Sequence, residues 1–552
     1  MSDSQDEHLD RGVEHFDVVV VGAGISGIGA AYHLREQCPG RSFVVLEALE
    51  AFGGTWHIHK YPGARSDSDL YTFGYRFKSW VGSPIASADQ ILRYMGEVIE
   101  ENDLARHIRY SSRITRAEWS SRTGLWTIAV ERTDTGETRR ITTNFLWMCQ
   151  GYYNHAKGYT PEWPGMAAFQ GRIVHPQHWP DDLDCAGKRL VVIGSGATAA
   201  TLAPAIADVC TQVTLVQRSP TYFIAGPNAN ALADQLRSLE VDEAWIHEIV
   251  RRQVLQEGAE FTRQCVEHPE ATREELLGAI SAIVGPEITA AHFSPAYRPW
   301  RQRIAFVPEG DIFKKVKAGK VAVVTSEIET FTETGLRLTS GETIEADIIV
   351  TATGFNISVL GGIAFVVDGA PVDFAETVTY RGVMFTGMPN LAWVFGYLRA
   401  SWTLRVDLVA DFVCRLLRHM EAKGASKVTV QLRPEDRDMP LSTWIDPEDF
   451  NPGYLMRGMH LLPRRGDKPE WRHTQDYWTE KDTWPAIDLD GTEFAYEANE
   501  AGTAAIAIGE AGLLSLRNPN NRRRAGKTAG DRLMRRAGAA RRGALMQGDD
   551  FD

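Results

Sequence analysis

Paired cysteines are missing from this chain. Its six cysteines, Cys38, Cys149, Cys185, Cys210, Cys265 and Cys414, are scattered over 552 residues with no C-x-x-C spacing. That usage excludes a zinc ribbon and a redox dithiol and suits a reducing cytoplasm, so a cytoplasmic protein with no metal site is expected. No unbroken apolar run of about 18 residues occurs, so no membrane-spanning helix is expected either. The first residues, MSDSQDEHLDRGVEHFD, are acidic and polar and do not resemble a secretory leader. Positive charge is also in deficit: a net charge of −13 argues against nucleic acid as the main partner. Residues 515–552 are the exception, rich in Arg, Gly and Ala with little to bury. They read as a solvated, disordered tail, or as a basic patch for peripheral contact with an anionic membrane.

Glycine, by contrast, is placed with purpose. In FDVVVVGAGISGIGAAYHL four consecutive valines predict a strand buried on both faces, and Gly22-Ala23-Gly24-Ile25-Ser26-Gly27 leads into an Ala-rich helix. Gly22 permits the tight turn, Gly24 lets a pyrophosphate approach the backbone, and Gly27 lets helix pack on strand. A second strand, SFVVLEA, ends at Glu47, a carboxylate able to accept from both ribose hydroxyls. The device recurs in KRLVVIGSGATAATLAPAI, with Gly194-Ser195-Gly196-Ala197-Thr198-Ala199. Its next strand, QVTLVQRSP, ends with Gln217-Arg218 where the first fold has an acid. A guanidinium binds a ribose 2′-phosphate that a carboxylate would repel. The first turn therefore suits FAD and the second NADPH, unless Arg218 is merely one half of a surface ion pair.

The expected fold is α/β, with two Rossmann-like, three-layer ββα dinucleotide-binding domains. Residues 15–160 form the first part of an FAD-binding domain and 161–350 an NADP-binding domain carrying a helical insertion at 225–300. Residues 351–490 return to the FAD domain, which is thus discontinuous. GGTWHIHKYPGARSDSDLYTFGYRFKSW is too rich in Gly, Pro and aromatics for a regular helix and reads as a long ordered loop over the flavin. RITRAEWSSRTGLWTIAVERTDTGETRRITTNFLWMCQG reads as a β-meander. Between the domains lies FQGRIVHPQHWP, where prolines fix the path and His175 reads as a neutral, satisfied ring at the joint.

These segments together resemble the type I Baeyer–Villiger monooxygenases of the class B flavoproteins. The family pattern F-x-G-x-x-x-H-x-x-x-W, then Pro or Asp, is filled by Phe169, Gly171, His175, Trp179 and Pro180. A second family pattern is met by Gly53, Gly54, Trp56, Tyr61, Pro62, Gly63 and Asp67, and the resemblance runs from about residue 15 to 485. It implies that Ser26, Glu47, Thr55, Trp56, His57, Ile58, Asp67 and Ile114 contact FAD. It also implies that Arg65, Ser66 and Asp67, the turn Gly194 to Ala200, and Gln217 with Arg218 contact NADP. Arg303 falls at the position of the family's active-site arginine, with Asp67 orienting it. One departure stands out: where relatives carry a lysine just before that arginine, this chain has Gln302.

The implied reaction is hydride transfer from NADPH to FAD, then attack of a flavin C4a peroxide, formed from O2, on a ketone to give an ester or lactone. Oxygenation of a thio-compound at sulfur is implied as well. Two other readings stay open: a sulfur or nitrogen oxygenase with little ketone activity, and an NADPH–flavin reductase that passes electrons to a partner protein. A flavin-binding protein without turnover is the blandest reading.

Overall fold

The structure, a computed structural model, describes residues 13–498. The basic tail at 515–552, and the membrane contact expected of it, lie outside the described residues. Among these, no helix is long and apolar enough to cross a membrane.

The valine run forms the core of the strand Glu14–Val21, with Val18, Val19 and Val20 wholly buried. This strand lies between Phe43–Leu46 and Thr138–Met148 and is parallel to both, Val20 facing Val45 on one side and Trp147 on the other. Strands Ser112–Ser120, Leu125–Arg132 and Thr138–Met148 make the expected antiparallel meander. Leu391–Trp393, far along the chain, returns to pair with Thr138–Met148. The helix Trp402–Ala422 then packs on Ile25–Gln37, so the first unit is discontinuous in sequence.

The second sheet has five parallel strands, in the order Val321–Thr325, Gln212–Gln217, Arg189–Ile193, Ile348–Thr351 and Arg172–Val174. One face packs on the helices Ala197–Ile206 and Asp311–Lys317. The other packs on a small antiparallel sheet, Ile328–Thr332, Gly335–Leu338 and Thr343–Glu345. That is the three-layer ββα arrangement. The helical insertion comprises Ala231–Ser238, Glu243–Glu267, Pro269–Val284 and Pro286–His292, set between the paired strands Phe223–Gly226 and Ala305–Pro308.

One expectation needs correcting. The segment from Gly53 to Trp80 is not free of helix: it holds two single turns, Thr55–Ile58 and Leu70–Phe73. At the second of them, a local N-cap and a tertiary cap supply what local propensity lacks. Asp69 accepts from the Tyr71 N–H at 2.8 Å. Arg251, from the insertion's longest helix and only 5% exposed, donates to the carbonyls of Tyr71, Thr72 and Gly74. In the same helix, His247 Nδ1 accepts from the Trp80 N–H at 3.0 Å.

The last described segments are fastened by a buried ion pair. Arg405 is wholly buried in the helix Trp402–Ala422 and pairs with Glu480, which is 2% exposed and also accepts from Tyr397 and Thr474. Removing the carboxylate leaves a buried cation unpaired, so Glu480→Ala should cost about 3–5 kcal/mol, read as a lower denaturant midpoint. An unchanged midpoint would count against the pair.

Two buried histidines set the acid limit. Burial, with the charge of Arg251 nearby, pushes His247 down to about 4, and burial with Arg405 nearby pushes His473 down to about 3. Both rings stay neutral in the folded protein while the unfolded chain protonates them near 6.5. The unfolded state therefore binds more protons below pH 6.5, and stability falls as the pH drops from there, by up to about 1.4 kcal/mol per pH unit for each ring. Urea unfolding at pH 7.5 and 5.5 should show this loss, and His473→Gln should reduce its slope.

Candidate active site

Two glycine turns define the ligand-facing edges of the sheets. At the first, a side chain on Gly27 would collide with the carbonyl oxygen of Gly22, so only glycine lets helix and strand meet. Glu47 braces this turn: its carboxylate accepts from the N–H groups of Ala23 at 2.7 Å and Leu49 at 2.9 Å. Burial raises its pKa against the pull of those bonds. Ser26 Oγ accepts from the Trp402 indole N–H at 2.8 Å, which joins the turn to the returning half of the unit. At the second turn Gly194 has a φ of 139°, and a side chain there would strike the carbonyl oxygen of Ala352. Gly196 faces open space, and Ser195 Oγ lies 3.0 Å from Thr221 Oγ1.

Asp67 and Arg303 meet between the two units. Arg303 donates through Nε to Asp67 Oδ2 at 2.6 Å and through Nη2 to Asp67 Oδ1 at 2.7 Å. Nη2 also reaches Ser68 Oγ at 3.3 Å, and Nη1 the Leu398 carbonyl at 3.1 Å. Of the five guanidinium N–H groups, one on Nη1 has no acceptor among the described residues. Side-chain exposures of 35% for Arg303 and 23% for Asp67 leave the pair partly accessible. Burial opposes both charges, yet each partner outweighs it: Asp67 is held below the usual carboxylate range and Arg303 above its ordinary value.

The other expected site residues divide into two groups. Thr55, Trp56, His57 and Ile58 form the one-turn helix that follows Gly54, and His57 is engaged by Glu50 at 2.8 Å. Ile114 is buried beside a register shift in the meander. Ser66 is buried, its hydroxyl donating to the Ser68 carbonyl at 2.7 Å. Arg218 is exposed at its strand end and makes no ion pair among the described residues, which removes the surface salt bridge as its explanation.

Packing holds four of the expected coenzyme residues in place. The Gln217 amide is turned inward, 2% exposed, and donates to the His292 carbonyl at 2.6 Å and Thr325 Oγ1 at 3.0 Å. Its side chain ties the strand end to the insertion. Ala199 and Ala200 belong to the core under the helix, so the open part of the turn ends at Thr198. Arg65 is committed to a two-pronged ion pair with Asp311, at 2.6 and 3.2 Å.

A group of tyrosines escaped the sequence reading. Tyr152 donates to Tyr153 at 2.8 Å, and the Tyr152 and Tyr454 hydroxyls are 3.4 Å apart. Burial raises all three phenols, while the Arg303 charge pulls Tyr153 and Tyr454 back down. Tyr152 stacks on Trp402 at 5.4 Å. GYYN and NPGYLMRG carried no spacing that placed these rings beside Arg303.

The signature segment lies at the crossover. His175 Nδ1 accepts from the Gln177 N–H at 3.2 Å, so its proton sits on Nε2, which donates to the Gly354 carbonyl at 3.0 Å. Burial lowers its pKa. The ring is neutral and satisfied, and it packs so closely on Gly158 that no side chain fits there.

Two dinucleotide-type turns, one in each Rossmann-like unit, together with a carboxylate-bound arginine, fit a flavin-dependent oxidoreductase. The flavin-binding monooxygenase-like family matches residues 83–233, and an NAD(P)-binding Rossmann-like domain matches residues 20–93. The FAD-containing monooxygenase EthA of Mycolicibacterium smegmatis is 45% identical over 469 residues, 84% of this chain and 94% of that protein. The putative FAD-containing monooxygenase MymA of Mycobacterium tuberculosis is 44% identical over 475 residues, 85% of this chain and 94% of that protein. An oxidized steroid monooxygenase bound to NADP superposes with a TM-score of 0.69 at 25% identity, covering 88% of this chain and all of that one. The chain belongs to the FAD-containing monooxygenase family, in its type I Baeyer–Villiger class.

Because Gly194 alone lets the second turn close on Ala352, Gly194→Val should raise the dissociation constant for NADP+ more than about tenfold while FAD content stays unchanged. Equilibrium dialysis with flavin absorbance reads both, and parallel loss of the two cofactors would contradict separate sites.

Proposed function

We propose that this monooxygenase uses FAD, NADPH and O2 to insert oxygen beside the carbonyl of a ketone, giving an ester or lactone, and that the same cleft oxygenates thio-compounds at sulfur. The first unit, residues 15–160 with 351–490, holds FAD and the second, residues 161–350, holds NADPH. The residues fit both groups. The first turn has the close helix–strand approach that a pyrophosphate site requires, and the second has Gly196 open above the backbone with Arg218 unpaired nearby. FAD held at the first turn would supply a hydride acceptor for NADPH and a centre that activates O2.

The observation that carries this reading is the Asp67–Arg303 pair. Asp67 fixes the guanidinium plane through two donors and leaves one N–H on Nη1 for oxygen. A permanently charged donor, oriented before the reaction, favours the negative charge that develops when a carbonyl carbon is attacked. The neighbouring Tyr152, Tyr153 and Tyr454 rings exclude water and offer an aromatic wall that suits alkyl groups and polarisable sulfur.

Arg303→Ala should still reduce flavin with NADPH but lose about 10²–10³-fold in oxygenated product. Product analysis under 18O2 with linear ketones, cyclic ketones, a thioether and a thioamide, beside stopped-flow flavin reduction, separates the two steps. Native product yield from Arg303→Ala would remove the arginine from the chemistry. Oxygenated sulfur products with no ester from the wild type would favour the heteroatom oxygenase. Rapid NADPH oxidation with an added acceptor and no oxygenated product would favour the reductase.

A further inference from the structure

A second arginine stands at the coenzyme edge of the five-stranded sheet, contributed by a distant part of the chain. Arg457 lies on the short helix Gly453–Gly458. Its guanidinium carbon sits 3.4 Å from the centre of the Tyr159 ring, and Nη2 donates to the Phe355 carbonyl at 3.2 Å. Those contacts place it on the segment that closes over the second glycine turn. Ala352 meets Gly194, the Thr353 hydroxyl donates to the Tyr159 carbonyl at 2.6 Å, and the Tyr159 N–H donates to the Gly354 carbonyl at 3.0 Å. Phe355 is the next residue.

Neither arginine at this edge has a carboxylate. Arg457 makes no ion pair among the described residues, and only one of its five N–H groups is used. Arg218, exposed at the end of Gln212–Gln217, is likewise without an ion pair among them. Burial lowers the pKa of Arg457, and the charge of Arg218 adds to the lowering, so the two cations feel each other. Like charges held together cost free energy that a carboxylate between them would remove. Neighbouring segments show that acids are readily supplied when pairing is the purpose: Arg298 and Arg399 both reach Asp449, and Arg301 reaches Glu448. At Arg218 and Arg457 no carboxylate among the described residues balances the charge. Gln302 adds no charge here, its amide lying 3.5 Å from Asn451 Oδ1 on the loop that leads to Arg457.

We propose that Arg457 is a specificity-determining residue for the coenzyme, the second guanidinium, with Arg218, for the phosphate monoester on the ribose 2′-carbon of NADPH. This rests on the reading that the second turn holds NADPH. A dianionic phosphate with three oxygens accepts from two guanidinium forks at once, and the cation–ring stack on Tyr159 fixes one fork before the ligand arrives. NADH, with a 2′-hydroxyl at that point, leaves both cations uncompensated.

Calorimetric binding of adenosine 2′,5′-bisphosphate and adenosine 5′-monophosphate to the FAD-loaded protein tests the assignment without turnover. The wild type should prefer the bisphosphate. Arg457→Gln should weaken the bisphosphate about tenfold and leave the monophosphate within about twofold, and Arg457→Lys should recover part of the loss. The double variant Arg218→Gln/Arg457→Gln should bind the two nucleotides alike. Wild-type affinity for the bisphosphate in Arg457→Gln, or equal weakening of both nucleotides, overturns the role of Arg457. A wild type that does not discriminate overturns the NADPH reading of the turn itself. Should Arg457→Gln fail to retain FAD, Arg457→Met and the salt dependence of wild-type binding decide: a bisphosphate slope no steeper than the monophosphate slope also overturns it.

Discussion

A loop of ten residues, Arg65 to Gly74, is gripped by charge from the second unit, and the site depends on that grip. Arg65 pairs with Asp311, Asp67 with Arg303, and Arg251 caps the carbonyls of Tyr71, Thr72 and Gly74. Arg251 lies in the insertion, Arg303 just before its return strand and Asp311 on the helix after it, whereas the loop belongs to the first unit, after the strand Phe43–Leu46 and the turn Thr55–Ile58. The pairs at Asp311 and Asp67 are partly exposed and individually modest. Arg251 is the buried member, so its hydrogen bonds are the costly ones to lose. Together they fix the guanidinium of Arg303 against a loop of the other unit.

The joint between the units has the opposite chemistry. His175 is neutral, and Gln177, Asn154 and Asn356 lace the linker to the end of the strand Ile348–Thr351 with uncharged hydrogen bonds: Gln177 Nε2 to the Asn154 carbonyl at 2.8 Å, and Asn356 Nδ2 to the Lys157 carbonyl at 3.1 Å. Proline at 176 sets the path, and Gly158 makes room for the imidazole. A joint of this kind holds its shape across neutral pH because no member gains or loses a proton there. That gives a physical reason for the residue types in FQGRIVHPQHWP: a flat ring with one donor and one acceptor, fixed by stiff neighbours.

What the sequence made legible follows from how local each signal is. Four valines before Gly22 and the spacing of two glycine turns are local signals, and both strand–turn–helix units lie where those signals fall. The meander announced itself through turn residues and alternation. The intramolecular partners of Gln217 and Arg65 were not legible, because a strand-end amide and a loop arginine can face a ligand or a neighbouring element, and the insertion and Asp311 come from distant parts of the chain. Nor did the glycine-rich turn show where it passes into the core, at the third and fourth residues of its helix, Ala199 and Ala200. The short helix Leu70–Phe73 was invisible because its carbonyls are capped by Arg251, far along the chain. The tyrosines next to Arg303 come from segments about 300 residues apart, which no spacing rule joins.

The short helix Gly453–Gly458 connects these observations. Tyr454 and Arg457 are three residues apart, so they project from the same side of the helix about 4.5 Å apart along its axis. Tyr454 feels the charge of Arg303, and Arg457 feels that of Arg218. One turn of helix therefore spans from the reacting cleft to the rim of the coenzyme turn. A shift of that turn large enough to release Arg457 would also move Tyr454 away from Arg303, because the helix is too short to bend between them. The chain that follows is stapled to the first unit through Glu480 and Arg405. The helix Gly453–Gly458 thus ties the surroundings of Arg303 to those of Arg218 through one short element.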